Sequence, residues 1–459
     1  MLASVVASAE TIHLKNGRTI LVDHVRENGN RYEYEIGDDS YAIPKASVER
    51  IEVGGSPFPS SSAARNSDDL PVFIPADNLR NEGDLPQAIV KDGKIDTDAL
   101  AKLEGKGNAE LSATVDFIAG KFEFDHGNVD QARRYFDSAL RFQPENATVL
   151  TYYAALLVRT GKASQALSYA QRAVSAAPQS PDAYTVLGYA QQACDRTRGA
   201  VASWKHSLEL RPDSAVQRYL DKAQREQNVE TDFNQRESSH FVMHYEGKQT
   251  SETFRGQILA ALESDYDDLA RDLGTPPHDN IVVTLYTEQV FFDVTNAPSW
   301  SGALNDGKLR IPISGLSSMT SELARVLKHE LAHSFINQLS AGRCPPWLHE
   351  GIAQMLEPKS LADGRALGQM FRSQHNIRLN MLEGSFMRFS GTEAYVAYAE
   401  SLAAVMYIND TYGMSDIQRI LQRLSEGSST EAALRATIHS DYGQLESEVG
   451  EYLGDKYGQ

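Results

Sequence analysis

Polar and β-prone residues alternate from Glu10 to Val53, in the runs TIHLKNGRTILVDHV, RYEYEI, SYAIP and VERIEV. Asn16-Gly17, Gly29 and Gly37-Asp38-Asp39 interrupt them with residues that tight turns require. Four or five short strands follow from this reading, and they predict a small β-barrel over residues 10–53. A β-ribbon packed on a neighbour would read the same way. The next stretch, GGSPFPSSSAARNSDD, is rich in Gly, Pro and Ser and predicts a linker over residues 54–80.

Further on, the pattern recurs every 34 residues. Pro144, Pro178 and Pro212 share this spacing, as do Ala132, Ala166 and Ala200, and Gly127 with Gly161. A 34-residue period of small, bulky and proline positions is that of tetratricopeptide repeats. Small residues let the two helices of a unit approach closely, and the proline cannot continue the second helix. Within a repeat region of 81–230, units are predicted at 113–146, 147–180 and 181–214, with 215–229 as a polar capping helix. The concave groove of such a stack is expected to hold a protein partner or substrate.

From about Thr231 the period is lost. HFVMHY (240–245), NIVVTLY (280–286) and KLRIPIS (308–314) predict strands, the first two flanking an amphipathic helix near 250–273; the remainder reads as helical. Strands first and helices later predict an α+β domain with a small sheet over 231–459.

Charge narrows the partners. The 44 basic against 62 acidic residues give a net charge of −18, which opposes sequence-independent binding to phosphate backbones or anionic lipid. Nucleic acid is therefore not expected, and no apolar run is long enough for a membrane span. MLASVVASAE carries a small-x-small pattern at Ala7-Ser8-Ala9 after a short apolar run without a preceding Lys or Arg. Residues 1–9 read as the remnant of a signal peptide, which implies a periplasmic or extracellular protein; an ordinary apolar N-terminus in a cytoplasmic one is the alternative. Cys194 and Cys344, the only cysteines, fall in different predicted domains and exclude a disulfide framework.

KHELAH, residues 328 to 333, is the candidate chemistry. On a helix running from about Thr320 to Gln338, His329 and His333 lie about 40° apart in projection and roughly 6 Å apart along the axis. Both imidazoles can then reach one zinc ion, which accepts His nitrogens and keeps a position for water when three protein ligands bind. Glu330 can take a proton from that water as it attacks a carbonyl. With 12 His in 459 positions, chance expects about 0.02 such patterns in the chain.

A third ligand is found in RCPPWLHEGIAQ, where Pro345-Pro346 can open a second helix with Trp347 and Leu348 as packing residues. Glu350 follows His333 with sixteen residues between them, enough for one helix to end, the chain to reverse and a second helix to present a carboxylate. His349 is the rival, pointing about 100° away from Glu350 on a helix.

Residues 231–413 resemble the peptidase MA-like gluzincins of bacteria, thermolysin-like metallopeptidases related to aminopeptidase N and often found with tetratricopeptide repeats. The stretches HFVMHYEG, APSWSGALNDGKLRIPISG, LKHELAHSFI, PPWLHEGIAQ and YAESLAAVMYINDTYG carry the resemblance. The N-terminal module is similar to SH3-like bacterial modules reading LKNG followed by IP. The gluzincin resemblance implies His329, His333 and Glu350 as zinc ligands and Glu330 as the base. It also implies Tyr398 as the donor to the developing oxyanion, with Tyr395 and His349 as alternatives. There are departures: the sixteen-residue gap is shorter than in aminopeptidase N relatives, and Gln354 stands where thermolysin-like enzymes carry an Asp that braces a His ligand.

In zincin-like sheets an edge strand near the metal can pair with an extended peptide. KLRIPIS and the preceding SGALNDG are expected in that role, with Gly302 and Ala303 small enough for a backbone to approach; a plain hairpin turn at Asn305-Asp306-Gly307 explains the same residues. His13, His24, His126, His206 and His278 have no partner at metal-ligand spacing; His240 and His244 are four apart but fall in a predicted strand, where both would face the same side at long separation, and Asp265, Asp267 and Asp268 read as a solvated helix face. Two functions are compatible with the whole: a zinc-dependent metallopeptidase, or a repeat-based adaptor with a catalytically idle protease-like domain. Endopeptidase and aminopeptidase action both stay open.

Overall fold

In a computed structural model the chain is described over residues 9–15, 19–22, 24–29, 31–36, 39–55, 85–91, 93–106, 108–247, 250–295, 303–313, 315–357, 361, 364–384, 386, 389 and 391–458. The leader reading of residues 1–8, the linker reading of 56–80 and Gly302 lie outside the described residues.

The alternating N-terminal runs form β1 (Ala9–Leu14), β2 (Thr19–Val22), β3 (His24–Asn28), β4 (Arg31–Ile36), β5 (Asp39–Pro44) and β6 (Val48–Gly55). They pair as two three-stranded antiparallel sheets, ordered β2-β1-β6 and β3-β4-β5. Ile12 and Val48 are buried between Val25, Tyr32, Tyr34, Ile43 and Ile51. Gly54 and Gly55, expected in the linker, end β6 instead.

A short helix α1 (Leu85–Ile89), the hairpin β7 (Val90–Lys91) and β8 (Lys94–Ile95), and α2 (Thr97–Glu104) lead into three antiparallel helix pairs. These are α3 (Ala109–Asp125) with α4 (Val129–Phe142), α5 (Ala147–Arg159) with α6 (Ala163–Ala176), and α7 (Pro181–Ala193) with α8 (Thr197–Leu210). The final helix of the stack is α9 (Ser214–Glu230). The first helix starts at Ala109, four residues before the expected unit boundary, because the Asn108 side chain accepts the N–H groups of Glu110 and Leu111 and caps it there. Gly120 and Gly188, two repeat periods apart, sit where the helices of a pair touch: a Cβ on Gly120 would stand 2.6 Å from the Phe136 ring, and one on Gly188 2.3 Å from Trp204. Pro144, Pro178 and Pro212 each lie two residues beyond the second helix of a pair.

The C-terminal part contains β9 (Asn234–Glu237), β10 (Phe241–Tyr245), α10 (Glu252–Leu273), β11 (Ile281–Tyr286), α11 (Glu288–Thr295), β12 (Leu304–Asn305) and β13 (Leu309–Pro312). The sheet order is β12-β13-β11-β10-β9, with β10, β11 and β13 parallel and the two outer strands antiparallel to their neighbours. IVVTLY is buried at every position, as a central strand of a covered sheet must be. KLRIPIS is not the edge strand that was expected. It is held between β11 and β12, and the edge belongs to the two-residue β12. Helices α12 (Ser321–Ser340), α13 (Pro346–Leu356), α14 (Gly364–Arg372), α15 (Gly391–Tyr412), α16 (Met414–Ser425), α17 (Thr430–Ile438) and α18 (Tyr442–Tyr457) complete the domain around one large apolar core. Among the described residues no helix is long and apolar enough to cross a membrane.

The repeat stack meets this domain along one edge. The turns joining the two helices of each pair all face it. Arg343 fills the space a Cβ would take at Gly127 and donates to the His126 and Gly427 carbonyls. A Cβ on Gly161 would lie 2.9 Å from Gln338 Oε1, Ser164 Oγ is 2.9 Å from Asp279, and Asp195 pairs with Lys308 at 2.7 Å.

Candidate metal centre

The KHELAH segment lies in the middle of α12. Thr320 caps this helix by accepting the Leu323 N–H at 3.1 Å, and Leu323, Leu327, Leu331 and Phe335, four apart, bury one stripe in the core. At the far end Ala341 adopts the left-handed conformation with φ of 49°, and the Gly342 N–H returns to the Asn337 carbonyl at 2.9 Å. That closure turns the chain back within a few residues. Pro345 and Pro346 then open α13, which Pro favours at its first position because no N–H is needed there.

The reversal brings three donors together. His329 Nε2 and His333 Nε2 are 3.0 Å apart, and Glu350 Oε2 stands 3.5 Å from the first and 3.8 Å from the second. All three side chains are buried. Four donors arranged tetrahedrally at zinc-ligand distances stand about 3.3 Å from one another, so the observed separations match one ion in their midst. No other group of three His, Cys, Asp or Glu donors meets that requirement among the described residues.

Glu330 is fully buried beside them, and neither of its carboxylate oxygens has a hydrogen-bond partner among the described residues. Burial, then the charges of Glu350 and Glu357, hold its carboxyl well above the usual carboxylate range. His333 is pushed the other way, well below an ordinary imidazole, by burial and then by His349 and His329. Buried polar groups without partners are costly. An ion between the ligands, with solvent on the Glu330 side, would relieve that cost, so the donor set fits a cation of the zinc class.

Comparison with known proteins bears on the same region. Residues 264–454 match the model of the Peptidase MA superfamily, and residues 123–188 match a tetratricopeptide repeat model. The chain carries a Peptidase MA superfamily domain. No curated protein matches the sequence. A solved structure titled "MamA RS-1 ArsTM double mutant" is 22% identical, covering 30% of this chain and 75% of its own, with a TM-score of 0.25.

Within the Peptidase MA domain a carboxylate does face the outer nitrogen of a His donor, from Glu357 and not from position 354. Glu357 Oε2 is 3.6 Å from His329 Nδ1, while the other oxygen faces Arg325 at 3.5 Å. Glu357, the residue that caps α13, lies seven residues after Glu350, about two helical turns, so both carboxylates fall on the same side of that helix. That spacing was the available signal. Gln354 instead donates through Nε2 to the Glu350 carbonyl at 3.3 Å and the Tyr398 carbonyl at 3.0 Å, tying the ligand helix to α15.

His349 lies flat on His333, with ring centroids 4.5 Å apart and planes 8° apart, rather than among the three converging donors. Tyr398 is buried on α15 with its ring edge to Phe386, and its phenol is raised well above its usual range by burial and by the charges of Glu350 and Glu330. Tyr395 stands at the surface. Two carboxylates of the helix face expected to be solvated are paired, and so is His244. Asp265 and Asp268 face Lys328 of KHELAH at 3.7 and 3.3 Å, and His244 meets Asp195 at 2.7 Å.

Proposed function

We propose that the chain is a zinc-dependent metallopeptidase whose tetratricopeptide repeats hold a protein partner or substrate. The observation that carries this reading is the convergence of His329, His333 and Glu350 beside a buried Glu330 whose carboxylate has no hydrogen-bond partner among the described residues. A zinc ion held by the three donors would polarise a peptide carbonyl and bring the acidity of water close to neutral pH. Glu330 takes the proton of the attacking water and passes it to the departing amine as the C–N bond breaks. Tyr398 donates its hydroxyl hydrogen to the carbonyl oxygen as that atom gains negative charge. Glu357 orients His329 by attracting the hydrogen on Nδ1, which leaves the Nε2 lone pair for the metal. An extended substrate pairs with the edge at β12, which lies against the Glu330 helix.

The alternative of an idle protease-like domain gives no reason for a base buried at the expense of its own hydrogen bonds. Glu330→Gln separates the two. In the zinc-loaded protein it should keep the metal, measured by elemental analysis, and abolish hydrolysis of an unstructured protein substrate. Retained hydrolysis would remove Glu330 from the mechanism, and a wild-type chain that takes up no zinc would favour the adaptor.

A further inference from the structure

Two adjacent residues of the edge hairpin face opposite ways. Asn305 Nδ2 donates to the Glu330 carbonyl at 2.6 Å and to Ser334 Oγ at 2.8 Å, while its Oδ1 accepts the Gly307 N–H at 3.1 Å. Asn305 is buried and is one of the two residues of β12. Its amide therefore fixes the edge strand to the catalytic helix at the residue that carries the base. The next residue, Asp306, turns toward the repeats and pairs with Lys222 of α9 at 2.7 Å.

The rest of the hairpin follows Asp306. Arg310 spans the Asp306 carboxylate with Nε at 3.0 Å from each oxygen, reaches Glu226 of α9 at 3.0 Å, and donates to the Tyr286 hydroxyl at 2.8 Å. Lys308 donates to Glu226 and, at 2.7 Å, to Asp195 in the turn between α7 and α8. Glu226, Lys308 and Arg310 are almost wholly removed from solvent. Charges that deep have few alternative arrangements, because any shift separates ions where water cannot replace the lost partner. The α9 helix thus holds one face of the hairpin, and the Glu330 helix holds the other.

We infer that the repeat array is a positioning element of the proposed active site: Glu226 on α9 anchors the Leu304–Pro312 hairpin, and Asn305 transmits that anchorage to Glu330. The functional half of the inference rests on the peptidase reading, whereas the mechanical coupling does not. It implies that the repeats set the alignment of base and edge strand, so that occupancy of the repeats changes turnover.

The test is hydrogen–deuterium exchange on the full chain, read on peptides spanning 304–312 and 326–336. Asn305→Ala should speed exchange in α12 around Glu330 by roughly fivefold, the factor one lost hydrogen bond is worth. Glu226→Gln, whose substitution lies on the repeats, should do the same in both peptides. Ser164→Ala, which removes a different contact between the repeats and the domain, should leave α12 unchanged. Should Glu226→Gln fail to fold, Lys222→Ala serves in its place, since it removes a half-exposed partner of Asp306 and leaves the buried pairs intact.

Faster exchange confined to α9 and the hairpin, with α12 as in the wild type, overturns the coupling. In the zinc-loaded enzyme Asn305→Ala and Glu226→Gln should lower kcat about 10- to 100-fold while KM changes little, the signature of a misplaced base, and Ser164→Ala should leave kcat unchanged. An unchanged kcat overturns the positioning role. A chain that shows the exchange coupling but hydrolyses nothing refutes the peptidase reading alone.

Discussion

Gly351 follows Glu350 of the candidate metal centre, and replacing it with alanine tests how that carboxylate is placed. A Cβ at this position would lie 2.4 Å from the Ser401 carbonyl oxygen, 2.5 Å from Val405 Cγ2 and 2.8 Å from the Ser401 carbonyl carbon. The first contact is about 1 Å short of ordinary van der Waals separation, and its partner is backbone of a buried helix that cannot swing aside. In open space Gly→Ala inside a helix stabilises by about 1 kcal/mol. Here overpacking should reverse the sign and destabilise by about 1–3 kcal/mol, which for a domain of this size lowers Tm by about 2–12 °C. Pushing α13 away from α15 also moves Glu350 relative to His329 and His333, so zinc affinity should fall as well. Thermal unfolding of the metal-free and zinc-loaded protein, with competition against a chromogenic chelator, measures both effects. A more stable variant, or one with wild-type zinc affinity, would show that α13 and α15 do not fix the ligand by close contact.

Two further outcomes follow from the site and its surroundings. Glu357→Gln should weaken zinc binding about 10- to 100-fold while leaving the three ligands in place, and Glu357→Asp should recover part of the loss; equal affinity in chelator competition would remove Glu357 from the support of His329. Glu400, buried on α15, accepts the Ile377 N–H with both oxygens at 3.1 Å; burial, partly offset by that N–H and reinforced by Glu446, raises its carboxyl from 4.5 to about 8. The unfolded chain then loses this proton before the folded one, so stability declines as pH rises from about 4.5 and levels off above about 8. Glu400→Gln removes that dependence, and the urea midpoint of the variant should gain on the wild type between pH 5 and pH 8; a constant difference would refute the raised proton affinity.

What could be read from the sequence divides along physical lines. The repeats were legible because each unit meets only its neighbours, so the 34-residue period is itself the structure. His329, His333 and Glu350 were legible because helical periodicity and one chain reversal bring them together. KLRIPIS was misplaced because strand order depends on pairings between distant segments, and an apolar run looks the same one place in from the edge. The ion pairs of Glu226, Lys308 and Arg310 were not legible, since no local pattern distinguishes an ion that will be buried by another domain. Glu357 was missed for a different reason. The familiar brace lies four residues after the ligand Glu, and here the same task falls to the next turn.

The docking of all three helix-pair turns on the Peptidase MA domain has a mechanical consequence for the repeats. Free solenoids behave as springs, since each unit can twist slightly on the next. Arg343, Gln338, Asp279 and Lys308 contact successive coils of this one, so a twist of one coil on the next would break those contacts. A partner entering the groove meets a surface whose curvature is already set, so little ordering entropy is lost on binding and fit is decided by shape rather than by the coil adapting to its guest.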